Sequence, residues 1–265
     1  MTIRAWAAPR AAATMESFAY DPAPLGDEEV EVAVEHCGLC HSDLSMIDDE
    51  WRRSRFPLVP GHEAVGRVVA AGARVRRVAV GDRVGVGWYA SSCMACAECL
   101  AGDAHLCSRA TETIVGRHGG FAERVRLHWL WATPLPAGLD FAGAGPLFCG
   151  GITVFSPIVE FGVRPTDRVA VLGIGGLGHL AVRFLRAWGC EVTAITSTAA
   201  KAPAVRELGA HEVVSLDDRK TVLPPGEIGE ICFTGPQVFL GYLGDPEATA
   251  RTVSREGVCY TGDLG

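Results

Sequence analysis

The sequence has 265 residues and a formal net charge of −7, from 24 Lys and Arg against 31 Asp and Glu. A mildly acidic chain without a basic stretch is poorly suited to a phosphate backbone, so we expect no nucleic-acid partner. The N-terminal segment lacks a basic region followed by an apolar one, which argues against a secretory signal and indicates the cytoplasm.

Short strands dominate the first half of the chain. Segments that combine β-branched residues with flanking glycine or acidic residues are typical of strands between turns. Four such segments lie at residues 28–38, 61–72, 81–88 and 120–129. We therefore predict a β-rich domain with short helical inserts over residues 1–139.

The pattern changes after Asp140. An apolar segment at residues 145–162 predicts one helix, and the chain then alternates strand, glycine turn, helix, strand, helix and strand through Leu216. This alternation is typical of a parallel α/β sheet. It supplies two βα units and a third strand, whereas a doubly wound nucleotide-binding domain has about six strands. We predict a partial Rossmann-type domain over residues 140–218.

An uncharged run from Phe141 to Val159 is long enough to cross a membrane. Four glycines and two prolines interrupt it, so we expect no membrane-spanning segment. After Asp218 no third βα unit follows. Residues 219–265 instead predict a strand at 227–235 and a short helix from Pro246 to Ser254.

Ten cysteines in a chain expected in a reducing compartment favour metal binding or catalysis over disulfides. Four of them form a C-x2-C-x2-C-x7-C pattern: Cys93, Cys96, Cys99 and Cys107. Two-residue gaps let a tight turn direct successive sulfurs to one tetrahedral zinc ion. Since four thiolates leave no position for water, the pattern predicts a closed, structural zinc site.

A second set of candidate metal ligands is scattered along the chain: Cys40, His62, Glu63 and Cys149. Taken singly, each has another interpretation. Cys149 could be a small buried apolar residue, His62 a hydrogen-bonded turn residue, and Cys37 with Cys40 a redox pair. The redox pair lacks the βαβ context that such a motif needs.

Five segments of the chain resemble zinc-dependent medium-chain alcohol dehydrogenases, and within them the cinnamyl-alcohol-dehydrogenase group. They occur in the family's order, from the N-terminus to about Asp218: residues 36–51, 57–72, the cysteine lobe at 92–107, 147–158 and 169–184. The resemblance implies a GroES-like catalytic domain, a primary alcohol or aldehyde as substrate, and a homodimer in the intact family.

The same resemblance implies that Cys40, His62 and Cys149 bind a catalytic zinc, with Glu63 as an alternative or transient ligand. Three protein ligands leave a fourth position for a substrate oxygen. Asp43 resembles the carboxylate that orients the histidine ligand, although it could equally be a charge at a helix N-terminus.

Ser42 matches the hydroxyl that begins the family's proton relay to solvent. Many relatives have a histidine three residues further on, where this chain has Ser45. His41 either replaces that histidine or only packs, and the sequence leaves the choice open.

The segment "GIGGLG" lies between a buried-strand pattern and an amphipathic helix pattern, the setting of a dinucleotide-binding turn. Gly173, Gly175 and Gly178 would then serve the tight turn, the approach of the pyrophosphate and helix packing, with Gly176 and Leu177 completing the turn. The helix N-terminus would attract the phosphates.

The strand that follows, "EVTAIT", ends without the carboxylate that would bind the ribose 2′-hydroxyl of NAD. Thr196, Ser197 and Lys201 could instead donate hydrogen bonds to a 2′-phosphate, so we expect NADP(H) as the cofactor. Ser197 has a second interpretation as the N-terminal cap of the next helix.

Residues 219–265 resemble a segment of adenylate-forming enzymes, the acyl-CoA synthetases and their relatives, in the motifs "GEIGEI", "GYLGDPEAT" and "TGDLG". In that family the aspartate matching Asp263 binds the ribose of the adenylate. The resemblance implies a junction near Asp218 and a chimeric chain. Because a parallel sheet without its remaining strands would lose part of the cofactor cleft and expose an edge, we expect the chain to be marginally stable and weakly active or inactive.

The sequence thus predicts a zinc-dependent oxidoreductase that transfers a hydride between NADP(H) and an alcohol or aldehyde, with Trp51 and Trp88 as pocket walls or core residues. Two other hypotheses are a non-catalytic zinc-binding remnant and a fragment that docks on an adenylate-forming partner.

Overall fold

A computed structural model describes residues 1–196, 198–215, 245–254 and, for the backbone, strands 230–234 and 258–264. The chain divides into two compact units, Met1–Ile152 and Thr153–Gly265. Within the described residues, every helix is too short or too polar to cross a lipid bilayer.

The first unit is built mainly from short antiparallel strands. Its strands and helices, in chain order, are β1 (Ile3–Ala7), β2 (Glu16–Tyr20), β3 (Glu29–Cys37), α1 (His41–Ile47), β4 (Ala64–Ala71), β5 (Arg83–Val86), β6 (Tyr89–Ser91), α2 (Ala97–Ala101), β7 (Thr111–Glu112), β8 (Arg124–His128) and β9 (Thr133–Pro134). Each of the four segments predicted as strands from the sequence contains one of these elements, so those predictions are confirmed.

A five-stranded antiparallel sheet in the order β8-β3-β4-β5-β9 forms the centre of the first unit. One face of the sheet is apolar because β-branched residues recur along its strands. The side chains of Val30, Val32, Val68, Val84 and Val125 are at most 1% exposed and form one core cluster. This core fixes the end of β3, after which Cys40 follows, and the start of β4, which His62 and Glu63 precede.

The single helix predicted over residues 145–162 is wrong. The structure has a 3₁₀ turn at Gly145–Phe148 and a separate helix α3 (Gly150–Glu160), with Cys149 between them at φ −127° and ψ −86°. Pro146 is the second residue of the 3₁₀ turn, and the non-helical backbone of Cys149 ends the turn. The break matters because it lets the Cys149 side chain leave the helical direction.

The second unit contains a three-stranded parallel sheet in the order β10-β11-β12. Its elements after α3 are β10 (Arg168–Leu172), α4 (Gly176–Trp188), β11 (Glu191–Thr196), α5 (Ala202–Glu207) and β12 (Glu212–Ser215). Parallel neighbours need a crossover connection, and α4 and α5 provide it. The alternation predicted from the sequence is confirmed through Ser215, whereas Leu216 and Asp218 lie outside the described residues.

The interior of the second unit is a separate apolar cluster. Val182 and Leu185 of α4 pack with Val192 and Ala194 of β11 and with Val205 of α5. Helix α4 places its apolar side on the sheet because these residues recur at helical spacing.

Three further elements follow in the second unit. Strand β13 (Glu230–Thr234) pairs antiparallel with β14 (Val258–Leu264), and helix α6 (Pro246–Thr252) lies between them in the chain. The carboxylate of Asp245 caps this helix by accepting a hydrogen bond of 2.8 Å from the Ala248 N–H. The strand predicted at residues 227–235 is confirmed at Glu230–Thr234, the part of it that the structure describes, and the predicted helix is confirmed but ends at Thr252 rather than at Ser254.

The fit of β3 against β4 can be tested at Gly66. A Cβ atom at this position would lie closer than 3.0 Å to the carbonyl group of Ala33 on the facing strand, and backbone atoms cannot move aside. We expect Gly66→Ala to lower the free energy of unfolding by about 1–3 kcal/mol, measured by urea denaturation. Gly138→Ala is the matched control, because a Cβ there meets nothing within 4 Å. Equal stability of the two variants would contradict this packing.

Candidate metal and cofactor sites

The buried carboxylate of Asp43, 3% exposed, connects the two segments that carry the first candidate ligands. It accepts hydrogen bonds from the backbone N–H of Cys40 at 3.2 Å and of Gly61 at 2.8 Å. It also contacts Nδ1 of His62 at 2.9 Å. With Nδ1–H donating to Asp43, Nε2 is the ring nitrogen left to bind a metal.

The four scattered candidate ligands lie together. The ligand atoms of Cys40, His62, Glu63 and Cys149 are all within 4.8 Å of one another. Sγ of Cys149 is 3.8 Å from Sγ of Cys40 and 3.3 Å from Nε2 of His62. Tetrahedral zinc would hold two thiolates about 3.8 Å apart and a thiolate and an imidazole about 3.5 Å apart. The donor set and its spacing therefore fit zinc.

Contacts with strand β5 and the chain after it place Cys149. The Phe148 ring lies where a Cβ of Gly85 would be, and the Phe148 carbonyl oxygen would be 2.8 Å from a Cβ of Gly87. Two glycines thus let the 3₁₀ turn approach the sheet closely, and the residue after the turn delivers its sulfur to the cluster.

In the metal-free cluster, burial and hydrogen bonds shift the pKa values of the candidate ligands. Burial lowers the pKa of His62, but the hydrogen bonds to Asp43 and Cys149 outweigh it and raise that pKa to about 10. Burial raises the pKa of Glu63, which is 4% exposed. Burial also raises the pKa of Cys40, but hydrogen bonds from Ser42 lower that pKa by a larger amount, so the net shift is downward. Zinc binding would release the imidazolium proton, because a metal ligand must be neutral or anionic.

The proposed relay residues lie on α1. Ser42 is half-buried and hydrogen-bonds the Cys40 thiol, so it lies at the cluster. Ser45 is 4% exposed, whereas His41 is exposed to solvent.

Two tryptophans extend outward from the cluster. The ring of Trp88 lies edge to face with His62 at 5.1 Å and with Trp51 at 5.8 Å, measured between ring centroids. Trp88 also packs on the apolar cluster of Met46 and Leu58, whereas Trp51 is 44% exposed. Trp88 therefore joins the core to the cluster, and Trp51 continues the aromatic surface toward solvent.

The four cysteines of the C-x2-C-x2-C-x7-C pattern form the second cluster. The sulfurs of Cys93, Cys96, Cys99 and Cys107 are within 4.8 Å of one another, and Sγ of Cys93 is 3.9 Å from Sγ of Cys99. This separation also fits two thiolates on tetrahedral zinc. With four sulfur donors, the geometry suits a closed site.

Backbone amides support this second cluster. The N–H of Cys96 is 3.3 Å from Sγ of Cys93, and the N–H of Arg109 is 3.4 Å from Sγ of Cys107. Hydrogen bonds from backbone groups, that of Ala95 first, lower the pKa of Cys93 to about 6, although desolvation opposes them. The pKa of Cys96 moves the other way, to about 12: a backbone hydrogen bond from Cys99 lowers it, but the hydrogen bonds to Glu98, Cys93 and Cys99 and desolvation together raise it more. Zinc binding would therefore release protons from this cluster, because zinc binds the thiolate form.

Sequence reasoning missed two contributors to the clusters. The amide of Gly61 holds Asp43, and the amide of Arg109 holds Cys107. Gly61 has a signal in the sequence: Pro-Gly marks a turn, and its φ of +99° favours glycine. An amide donor such as that of Arg109 leaves no signature, because every residue except proline carries one.

The predicted dinucleotide turn lies between β10 and α4. Gly173 has φ +81°, and a Cβ at Gly178 would overlap the Gly173 carbonyl oxygen, so both positions require glycine. A Cβ at Gly173, Gly175 or Gly176 meets nothing within 4 Å, which leaves open space on the side of the turn where a pyrophosphate would bind. Leu177, in the first turn of α4, is 49% exposed.

Thr196 ends β11 with a hydroxyl that lacks a hydrogen-bond partner among the described residues, although the residue is only 2% exposed. A buried hydroxyl of this kind suits a polar ligand. Lys201 ends a 3₁₀ turn and is exposed. Ser197, the third residue expected at the 2′-phosphate, lies outside the described residues.

Comparisons with known proteins agree with this arrangement. A family model described as alcohol dehydrogenase GroES-like domain matches residues 26–137, and one described as zinc-binding dehydrogenase matches residues 176–254. The aldehyde reductase AdhA of Synechocystis sp. is 59% identical over 212 residues, which are 80% of this chain and 63% of that protein.

Two solved structures are similar in fold. A cinnamyl alcohol dehydrogenase from Sorghum bicolor has a TM-score of 0.77 and 35% identity over 81% of this chain and 64% of that one. The cinnamyl alcohol dehydrogenase of Helicobacter pylori, solved with NADP(H), has a TM-score of 0.76 and 25% identity over 81% of this chain and 65% of that one. The chain thus spans slightly less than two thirds of the length of these relatives.

The role of Asp43 can be tested by Asp43→Asn. The substitution removes the charge and places an amide N–H₂ against one of the present donors, so His62 loses its fixed orientation. We expect zinc affinity at the Cys40 cluster to fall about 10- to 100-fold in competition with a chromophoric chelator. Asp48→Asn, at the exposed C-terminal cap of α1, is the control. An unchanged affinity for Asp43→Asn would show that the hydrogen bonds do not support the site.

The cysteine cluster can be tested by Cys96→Ser. Loss of one thiolate should release the metal from this cluster and lower the melting temperature by about 5 °C or more, because structural zinc contributes directly to folding. Metal analysis and thermal unfolding measure the two effects. Ala95→Ser, an exposed change in the same loop, should keep both values. Retention of the metal by Cys96→Ser would refute a four-thiolate site.

Proposed function

We propose that this chain, which belongs to the zinc-type medium-chain alcohol dehydrogenase family, is an NADP(H)-dependent oxidoreductase of primary alcohols and aldehydes. The observation that carries the proposal is the convergence of Cys40, His62, Glu63 and Cys149 at spacings that suit zinc. The aldehyde reductase name of the Synechocystis relative and the NADP(H) of the Helicobacter structure support the substrate class and the cofactor.

When bound, zinc supplies a Lewis acid for the substrate oxygen, and NADP(H) donates or accepts the hydride. The residues of this chain prepare the site. Cys40, His62 and Cys149 would bind the metal and leave a fourth position, and the contact of Asp43 with Nδ1 would keep Nε2 of the imidazole available as the ligand atom. Glu63 is the alternative or transient fourth ligand.

The proton of the alcohol needs a path to solvent, and we assign its first step to Ser42. This hydroxyl lies beside Cys40, so it can accept the proton that leaves the substrate oxygen. His41, exposed on the same helix, is the candidate for the solvent end of the path, because Ser45 is buried and has no titratable group near neutral pH. Trp51 and Trp88 form an apolar wall beside the cluster that favours aromatic or allylic substrates.

For the cofactor, we assign the pyrophosphate to the turn formed by Gly173, Gly175 and Gly178. The buried hydroxyl of Thr196 and the ammonium of Lys201 are assigned to the ribose 2′-phosphate, together with Ser197. The absence of a carboxylate at the end of "EVTAIT" supports this assignment, because an acidic residue would repel that phosphate.

We propose the domain limits 1–139, 140–218 and 219–265 and a cytoplasmic location. The tail limits rest on the adenylate-forming motifs, whereas the zinc-binding dehydrogenase model extends through residue 254 and so favours continuity past Asp218. The side chain of Asp263 lies outside the described residues.

Metal analysis combined with an NADPH titration tests the proposal without requiring turnover. Two zinc ions per chain and NADPH binding in the micromolar range are the expected result. Two zinc ions without cofactor binding would favour the non-catalytic remnant, and neither would favour a fragment that docks on an adenylate-forming partner.

Cofactor preference can be tested by Lys201→Ala. Loss of a charge-assisted hydrogen bond to the 2′-phosphate should raise the dissociation constant of NADPH about tenfold and leave that of NADH unchanged, measured by nucleotide fluorescence. Arg206→Ala, which removes an exposed charge further along the same segment, is the control. Equal losses for NADPH and NADH would place Lys201 elsewhere than at the 2′-phosphate.

A further inference from the structure

Gly38 faces Glu63, which supplies the one carboxylate among the candidate ligands of the two described clusters. Strands β3 and β4 pair in antiparallel register as far as Cys37 with Ala64, and Gly38 and Glu63 are the residues next to that last pair. The N–H of Gly38 donates a hydrogen bond of 3.0 Å to the carbonyl oxygen of Glu63. The two residues are therefore cross-strand neighbours whose side chains would share one face.

The Glu63 side chain occupies the space that a side chain at position 38 would need. A Cβ built on Gly38 would overlap Oε2 of Glu63 and lie 3.1 Å from its Cβ and Cδ atoms. Real Cβ atoms essentially never come closer than 3.0 Å to another heavy atom. Since Glu63 is 4% exposed, its carboxylate has little free space to move into.

The backbone at position 38 does not itself demand glycine. Gly38 is absent from the glycines with positive φ, a set that includes Gly61 and Gly173. Alanine would be conformationally acceptable there and would even reduce the entropy of the unfolded chain. The need for glycine at this position thus comes from its neighbour rather than from its own conformation.

We propose that Gly38 is a positioning residue for Glu63: the missing side chain is the space that keeps the Glu63 carboxylate within reach of Cys40, His62 and Cys149. The inference rests on the proposed function, because it concerns the carboxylate at the same metal cluster. It adds that the availability of Glu63 as a ligand is set from the opposite strand. The three heavy atoms nearest to a methyl group at position 38 would all belong to Glu63, so the carboxylate is the group that the methyl group would displace first.

A double-mutant cycle tests the proposal on metal binding rather than on turnover. The proteins are the unchanged chain, Gly38→Ala, Glu63→Ala and the double variant, each loaded with Co²⁺ at the Cys40 cluster. The measurements are Co²⁺ affinity by chelator competition and the visible absorption spectrum, which reports the ligand set. We expect each single variant to lose about 10- to 100-fold in affinity and the double variant to lose no more than either.

Two patterns would overturn the proposal. In the first, Gly38→Ala has the Co²⁺ affinity and the spectrum of the unchanged chain. In the second, the fold-losses in Co²⁺ affinity of the two single variants multiply in the double variant, which would mean that Gly38 acts independently of Glu63. If the unchanged chain binds no metal at this cluster while the four-cysteine cluster does, the proposed function fails instead.

The fold is monitored by circular dichroism and by zinc at the four-cysteine cluster. Should Gly38→Ala fail to fold, the proposal requires that Gly38→Ala with Glu63→Ala folds, because the overlapping carboxylate is then gone. Misfolding of both would overturn the proposal.

The combination of Gly38→Ala with Glu63→Asp is a rescue variant. The shorter side chain of aspartate leaves room for the methyl group, so this variant should regain part of the Co²⁺ affinity and of the visible spectrum.

Discussion

The hydrogen bonds to the buried carboxylate of Asp43 are the constraint on which the candidate site depends. This group binds the N-terminus of α1, the turn before β4 and the ring of His62 at once. Burying a carboxylate without hydrogen-bond partners costs free energy. Moving any of its three donors away would therefore destabilise the fold, which holds all three in place. The two segments that carry Cys40 and His62 are thereby fixed relative to one another before any metal binds.

The antiparallel sheet determines which residues reach that carboxylate. Strands β3 and β4 end side by side, so the residues that follow one and precede the other meet at the same edge. Cys149 lies far along the chain from the other ligands. The break between a 3₁₀ turn and a helix gives its backbone a non-helical conformation, which lets its side chain reach the cluster. Glycines at positions 85 and 87 make this approach possible by leaving room for Phe148. The position of Cys149 therefore depends on small residues in and after strand β5.

Much of the fold was predictable because it follows from local patterns. Alternating β-branched residues predicted four of the nine strands that the structure describes in the first unit, β3, β4, β5 and β8, and the glycine turn between strand and helix patterns predicted β10 and α4. The C-x2-C-x2-C-x7-C spacing is local too, so the four sulfurs were predictable as one cluster without a family resemblance.

The convergence of Cys40, His62 and Cys149 was not predictable from residue pattern alone, because more than a hundred residues separate the first from the last. A resemblance to a family supplied it. The break at Cys149 was missed because "LFCGGITV" is mostly apolar and carries no helix-stop signal before the glycines. The requirement for glycine at position 38 was also invisible, since it depends on a side chain on the facing strand.

Anomalous diffraction from crystals of the zinc-loaded chain, recorded at the zinc absorption edge, is the most direct test of the account. The account predicts two peaks in the first unit, one surrounded by the four cysteines at positions 93–107 and one shared by the sulfurs of Cys40 and Cys149 and Nε2 of His62. A single peak at the four cysteines, with His62 still bonded to Asp43 and no metal beside it, would contradict the oxidoreductase assignment.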